Sequence, residues 1–293
     1  INMTMGAAAG GTRAMTSSSS PGIALKSEGI SYIAGCDLPC LIVNVQRGGP
    51  GLGGIQPSQS DYYQATRGVG HGDLRLLVLA PSSVQEMASL TATAFDLADI
   101  YRMPAMLLAD GALGQMMEPV DFSAFEKHEI PEKPWATVGH KMAREHNIVN
   151  SLFIDPQVLE DSVRARYKRY DMVEEKEVRY EEFCTDDADI VLVAFGIAAR
   201  ICKSAVTAAR EKGIKAGLLR PITLWPFPKK PIAAVADHAK ALLSVEMSMG
   251  QMVDDVRLTV KGKKRAYFCG RTGGMIPSVE EVTAEIEKLA AAL

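Results

Sequence analysis

Near-continuous apolar runs alternate with helical patterns along this chain, and that alternation constrains the fold more than any other feature. Residues 41–45 form such a run, bounded by Pro39 and by the Gly48-Gly49-Pro50-Gly51 cluster. Residues 74–79 and 104–109 repeat it. Runs of this kind read as strands covered on both faces, as in parallel sheets flanked by helices. Helical patterns lie between them. Residues 1–10 stop at Gly10-Gly11, residues 23–34 follow Pro21, and residues 58–67 follow the glycine cluster. The helix running to about Tyr101 opens on overlapping capping boxes, Ser82 with Gln85 and Ser83 with Glu86. Its Val84, Met87, Ala88, Thr91, Ala94, Phe95 and Ala98 share one helical face. A short strand is expected at 12–16, ahead of the serine-rich turn.

The rhythm breaks between Gly111 and Cys184, where Pro119, Pro131 and Pro134 mark a loop and residues 156–182 read as a charged amphipathic helix. It then resumes. Strands are expected at 190–195, 215–219, 241–246 and 265–269, with helices at 197–212, 229–238 and 250–260, and a last one capped by Ser278 and Glu281. Residues 221–228 form a Trp-Pro-rich crossing. Two α/β units joined by a connector are therefore expected. Residue 1 falls inside a helical pattern with no cap before it, so chain upstream of Ile1 is expected.

Composition excludes several classes of function. The net charge of −3 offers no basic field for nucleic acid or an anionic membrane. Aromatics make up only 6%, too few for base-stacking platforms. No run of about 18 apolar residues spans a bilayer, and no secretory leader is visible. Five scattered cysteines form no disulfide framework, and Cys36-x3-Cys40 lacks a second pair at metal spacing. A cytoplasmic location follows as the expectation.

Charge is also unevenly distributed. In the first sixty residues only Arg13, Lys26, Glu28, Asp37 and Arg47 are charged. A segment so poor in charge is either deep core or covered by another subunit, and sixty residues exceed what core alone accounts for.

Arg47, in Gln46-Arg47-Gly48-Gly49-Pro50, follows a buried strand, at the end where open α/β sheets bind ligands. A guanidinium in apolar surroundings needs an anionic partner: a ligand carboxylate, or an acid or carbonyl of the chain itself. Ser17, Ser18 and Ser19 lie in a hydroxyl-rich strand-to-helix turn, suited either to polar ligand groups or to helix capping. Gln59-Ser60-Asp61 opens the next expected helix and reads first as a cap. Gly51 to Gly54 lacks the spacing of a dinucleotide fingerprint. Asp110-Gly111 lacks the downstream Asn of a diphosphate–Mg²⁺ motif. The five histidines are isolated, and no nucleophile elbow or zinc-protease motif is present.

Taken in order, several segments resemble one family. They are residues 6–10, 16–22, Leu38-Pro39, 43–50 and 107–111, then 219–228, 245–247 with Gly250-Gln251, and 270–274. The resemblance, which covers nearly the whole chain, is to the alpha subunit of the 2-oxoacid:ferredoxin oxidoreductases. The ending is most similar to the branched-chain (3-methyl-2-oxobutanoate) type, with the 2-oxoglutarate type as the rival. It implies a thiamin-diphosphate-binding fold, with the pyrimidine-binding domain at 1–125, a connector with a long helix at 126–185 and a transketolase C-terminal-like domain at 186–293.

The resemblance further implies thiamin diphosphate and Mg²⁺ shared with a beta subunit, iron–sulfur clusters in partner subunits only, and ferredoxin-like delta and gamma subunits. The implied reaction is CoA-dependent oxidative decarboxylation of a 2-oxoacid, with the cofactor as electron sink and ferredoxin as acceptor. Arg47 matches the family arginine that holds the substrate carboxylate. Ser17, Ser18, Ser19, Gln59 and Asp61 are cofactor-pocket candidates, and no metal ligand is expected here. The family's activating glutamate and substrate-contacting threonine fall upstream of Ile1. The competing readings are a lipoamide-linked or transketolase-type thiamin enzyme and a non-catalytic assembly subunit.

Overall fold

The computed structural model describes residues 1–293. The chain runs α1 (Asn2–Ala9), β1 (Met15–Ser18), α2 (Ser20–Gly35), β2 (Cys40–Gln46), β3 (Leu77–Leu79), α3 (Val84–Tyr101), β4 (Pro104–Asp110), α4 (Pro156–Lys176), β5 (Tyr180–Phe183), β6 (Ile190–Val193), α5 (Gly196–Glu211), β7 (Ala216–Pro221), β8 (Thr223–Trp225), α6 (Lys229–His238), β9 (Ala241–Glu246), α7 (Met252–Val260), β10 (Ala266–Gly270) and α8 (Val279–Ala292). The alternation expected from the apolar runs is thus the observed order. No helix is long and apolar enough to cross a membrane.

Two five-stranded sheets result, ordered β1-β2-β4-β3-β8 and β10-β9-β6-β7-β5. Each is parallel except for one antiparallel edge strand, β8 in the first and β5 in the second. Both edge strands come from segments read otherwise in the sequence. The long helix stops at Lys176 rather than reaching residue 182, and Tyr180, Glu181, Glu182 and Phe183 pair with β7. Aromatic residues at 180 and 183 suit a half-buried edge better than a charged helix end. The Trp-Pro-rich crossing supplies β8, so a strand from the second half of the chain completes the first sheet: Val78 pairs with Trp225 and Leu79 with Thr223. The segment 58–67 is helical only in its second half: Tyr62 and Tyr63 are α-helical and continue into a π-helical turn at Gln64–Gly68.

β8 ties the units into one body. The larger apolar core runs from Ile23, Ile42 and Leu107 through Phe195 and Trp225 to Ile232, Leu242 and Val256. A smaller core lies under α5 and α8 on the far face of the second sheet, around Leu192, Cys202, Val206 and Ile286. On α3 the buried face is shifted from the expected one. Leu90, Thr93, Ala94, Leu97 and Tyr101 are buried, and so are Asp96 and Asp99. Arg13 pairs with both acids, Lys133 with Asp99 and His128 with Asp96. Arg166 of α4 is likewise buried and holds Asp37 at 2.9 Å.

The Ser83–Glu86 pattern also has a different use from the one its spacing suggests. The Ser83 hydroxyl accepts from the Glu86 N–H at 3.1 Å, as an N-cap should. The Glu86 carboxylate, however, leaves the box. It accepts from the Ser82 N–H and takes both terminal nitrogens of the buried Arg220 at 2.7 Å. Arg220 lies on β7, so this pair pins α3 to the second sheet. Burial alone would raise the Glu86 carboxyl, but the Arg220 guanidinium and Ser82 outweigh it and hold it below its usual range.

Arg220→Ala is expected to cost on the order of 3 kcal/mol, as for removing one partner of a largely buried pair. The pH dependence has a definite sign. A carboxyl whose pKa is lower folded than unfolded stabilises fully above its unfolded value of about 4.3, and that contribution fades as pH falls through the folded value. Urea unfolding from neutral to acid pH should show the wild-type advantage over Arg220→Ala constant near neutrality and shrinking on acidification. An advantage that grows with acidity would contradict the pairing.

Candidate functional site

The carboxyl ends of the first sheet's parallel strands deliver most of the candidate residues to one place. β1 ends in Ser17 and Ser18, β2 ends in Gln46 next to Arg47, and β4 ends in Asp110 before Gly111. Around these ends lies an open cavity of about 370 Å³, lined by Ser17, Ser18, Ser19, Arg47, Ile55 and Gln115 among others. Thirty residues of sequence separate the serine turn from Arg47, yet parallel pairing of β1 with β2 (Ser18 beside Asn44) sets them side by side.

Arg47 is clasped by its backbone and left free at its side chain. Its N–H donates to the Ser20 hydroxyl at 3.1 Å, and that hydroxyl donates to the Arg47 carbonyl at 3.2 Å. A single bridge joins Arg47 to Pro57 across the glycine loop. The Nε is buried and has no hydrogen-bond partner. No acid or carbonyl of the chain pairs with this guanidinium. A half-buried cation without a partner is costly, so it suits a site completed by an anion.

Gln59 and Asp61 do not line this cavity. Gln59 is fully buried where the two sheets meet. Its N–H donates to the Met247 carbonyl at 2.9 Å, its side-chain oxygen accepts from the Met247 N–H at 3.1 Å, and its amide nitrogen donates to the Phe195 carbonyl at 2.8 Å. Asp61 acts in the same framework: its N–H donates to Gln46 Oε1 at 3.1 Å and its carboxylate accepts from Asn44 Nδ2 at 2.9 Å. Asp61 thus steadies β2 just before Arg47. No local signal separates these roles from capping, because every partner lies far away in sequence.

The strand ends of the second sheet face those of the first. Asp110 of β4 is buried and accepts from Ala112 and Leu113 N–H at 3.0 Å, and also from the Ile197 N–H at the start of α5. Burial pushes its carboxyl up, against these three donors. Glu246, at the end of β9, is fully buried and accepts from the N–H groups of Gln251, Met252 and Val253 at 2.9–3.0 Å, which caps α7. Val45, Gln46, Gly111 and Gly114 complete the lining of the cavity. Gln115 was not legible in sequence; its only signal is its place just after the Asp110-Gly111 strand end.

Comparisons with known proteins agree with this architecture. A family model described as "Pyruvate flavodoxin/ferredoxin oxidoreductase, thiamine diP-bdg" matches residues 1–184, and "Pyruvate:ferredoxin oxidoreductase core domain II" matches 188–282. The chain is 49% identical to ketoisovalerate oxidoreductase subunit VorB of Methanothermobacter thermautotrophicus, over 99% of this chain and 82% of that protein. Against 2-oxoglutarate synthase subunit KorA of the same organism, identity is 34% over 99% of this chain and 84% of that one. Among solved structures, it is similar to the 2-oxoglutarate:ferredoxin oxidoreductase from Magnetococcus marinus with 2-oxoglutarate, coenzyme A and succinyl-CoA bound, at a TM-score of 0.80 and 25% identity. That match covers 99% of this chain and 55% of that one, so this chain spans about half the length of the solved one.

Gln59→Ala should unfold more easily by about 2 kcal/mol, because it leaves the Met247 N–H buried without a partner and leaves the Phe195 carbonyl with the Ala199 N–H as its one remaining donor. Urea unfolding measures this. A variant as stable as the wild type would return Gln59 to the list of ligand residues.

Proposed function

The chain belongs to the 2-oxoacid:ferredoxin oxidoreductases as an alpha-type subunit, and from that membership we propose that it holds the substrate carboxylate in a complex oxidising 3-methyl-2-oxobutanoate. The reaction is a CoA-dependent oxidative decarboxylation with ferredoxin as electron acceptor. The observation that carries this reading is Arg47, a half-buried guanidinium without an internal partner, at the strand ends beside Ser17, Ser18 and Ser19.

The branched-chain substrate is supported twice. Identity to the VorB protein is 49%, against 34% to the KorA protein. Arg47 is also the one charged residue among those lining the cavity, with Val45 and Ile55 as its apolar members. That lining suits one carboxylate and an aliphatic side chain. A 2-oxoglutarate pocket needs a second group for the distal carboxylate, and the lining from this chain offers no second cation.

The residues present fit part of a thiamin diphosphate site: an open cavity with serine hydroxyls on one edge and glycines that let a ring approach closely. When bound, the cofactor supplies an electron sink for decarboxylation. This chain's residues do the remaining work. Arg47 receives the carboxylate and fixes the direction of the 2-oxo group, and Ser20 holds the Arg47 backbone still. No three His, Cys, Asp or Glu side chains come together here to ligate a metal. By the family resemblance we place Mg²⁺ and the diphosphate with a beta subunit, and iron–sulfur clusters with that subunit and with ferredoxin-like delta and gamma subunits. The assembly is proposed to be cytoplasmic.

Arg47→Ala in the assembled complex should raise KM for the 2-oxoacid while leaving cofactor affinity nearly unchanged. Truncating one partner of a buried charged pair typically loses about 2–5 kcal/mol, roughly 30-fold to several thousand-fold in kcat/KM. Arg47→Lys should recover only part, since a point charge lacks the two-pronged geometry. Steady-state kinetics over a 2-oxoacid series, run beside thermal melts, checks this. Lost stability with an unchanged KM would make Arg47 structural and remove the main support for the reading.

A further inference from the structure

The loop that carries Arg47 into the cavity is braced from the second sheet. After β2 the chain turns through Gly48 to Gly54 and returns, with the Gly48 N–H donating to the Gln56 carbonyl at 2.9 Å and the Gly54 N–H to the Gly48 carbonyl at 2.8 Å. At Gly53 the turn has no room for a side chain. A Cβ at Gly53 would stand 1.9 Å from the Gly48 carbonyl oxygen. Its outer side meets the segment just after β10. A Cβ at Gly274 would lie 2.3 Å from the Gln56 Cβ, and one at Gly48 would lie 3.4 Å from the Gly274 nitrogen. Gly274 has φ +95°, a conformation that side chains disfavour.

The Gln56 side chain therefore packs directly on the Gly274 backbone, and the contact falls on the residue next to Ile55. Ile55 and Arg47 both line the cavity, while none of its lining residues comes from the second sheet or its helices. The second half of the chain meets the Arg47 loop itself at this contact.

We propose that Gly274 is a positioning residue. By admitting the Gln56 side chain against its backbone, it sets the place of the 48–56 loop and hence of Arg47 and Ile55 relative to substrate. This rests on the reading of Arg47 as the carboxylate anchor. The neighbouring Gly273 supplies the control. It too has positive φ, +66°, but a Cβ there would meet nothing within 4 Å. Gly273→Ala thus introduces backbone strain without a collision, and Gly274→Ala introduces both.

In the assembled complex, Gly274→Ala should raise KM for the 2-oxoacid by about tenfold or more, since displacements of about 1 Å far from the chemistry cost up to 10²-fold. Gly273→Ala should stay within about twofold of wild type, and adding Gln56→Gly to Gly274→Ala should restore most of the loss by removing the struck atoms. Hydrogen exchange at the Gly48 and Gly54 amides should quicken in Gly274→Ala and not in Gly273→Ala. An unchanged KM in Gly274→Ala, or equal effects from the two glycines, overturns the proposal. Should the wild-type complex turn over no 2-oxoacid, the functional reading fails on its own. The exchange measurement on this chain then decides the brace: quickening in Gly274→Ala alone upholds it, and unchanged exchange overturns it.

Discussion

Two parallel sheets meet here strand end to strand end, and the rest of the structure depends on how that meeting is sealed. The carboxyl ends of parallel strands leave backbone groups and helix N-termini unpaired, and burying them without partners is expensive. Gln59 and Asp110 meet the requirement from the first sheet's side. Gln59 binds both polar groups of Met247 and the Phe195 carbonyl, and Asp110 receives the N–H of Ile197 at the start of α5. From the other side Glu246 caps α7, and Gln251, which precedes that helix, accepts from the Tyr63 N–H and donates to the Ser60 carbonyl. With β8 inserted into the first sheet and one apolar core running across both units, the halves form a single framework.

The disposition of charge separates structural ions from available ones. Of the five charged residues among the first sixty, Arg13 binds Asp96 and Asp99, and Asp37 binds Arg166 and Arg169. Lys26 donates to the Thr16 hydroxyl and the Ser17 carbonyl, and Glu28 receives the Tyr32 hydroxyl. Arg47 alone is left with a buried nitrogen and no partner. Composition marks the segment only as poor in charge; the fold shows that four of its five charges are held by partners within the chain.

Much of the framework was legible in sequence because its signals are local. Apolar runs marked β2, β4, β6 and β9, Gly10-Gly11 marked the end of α1, and the Ser278–Glu281 capping box is present as its spacing predicts. Arg47 and the serines were legible as candidates because they lie at strand ends, which parallel pairing brings together, although β1 runs Met15–Ser18 rather than 12–16, so that Ser17 and Ser18 end the strand instead of following it. What escaped was set by distant partners. Gln59 looks like a cap until Met247 is placed beside it, and Glu86 looks like half of a capping box until Arg220 claims it. Thr223 to Trp225 look like a crossing until β3 offers a free edge. Asp96 and Asp99 sit on a buried face that hydrophobic periodicity alone misplaces, because Arg13 and Lys133 pay their burial cost from remote segments.

The central claim is that this framework presents one guanidinium, in otherwise uncharged surroundings, to the carboxylate of a branched-chain 2-oxoacid. The most direct measurement is CoA-dependent reduction of a viologen dye by the assembled complex, comparing 3-methyl-2-oxobutanoate with 2-oxoglutarate as substrates. The account predicts that kcat/KM is higher for 3-methyl-2-oxobutanoate and that reduction depends on CoA. A preference for 2-oxoglutarate, or no reduction with either acid, would contradict it.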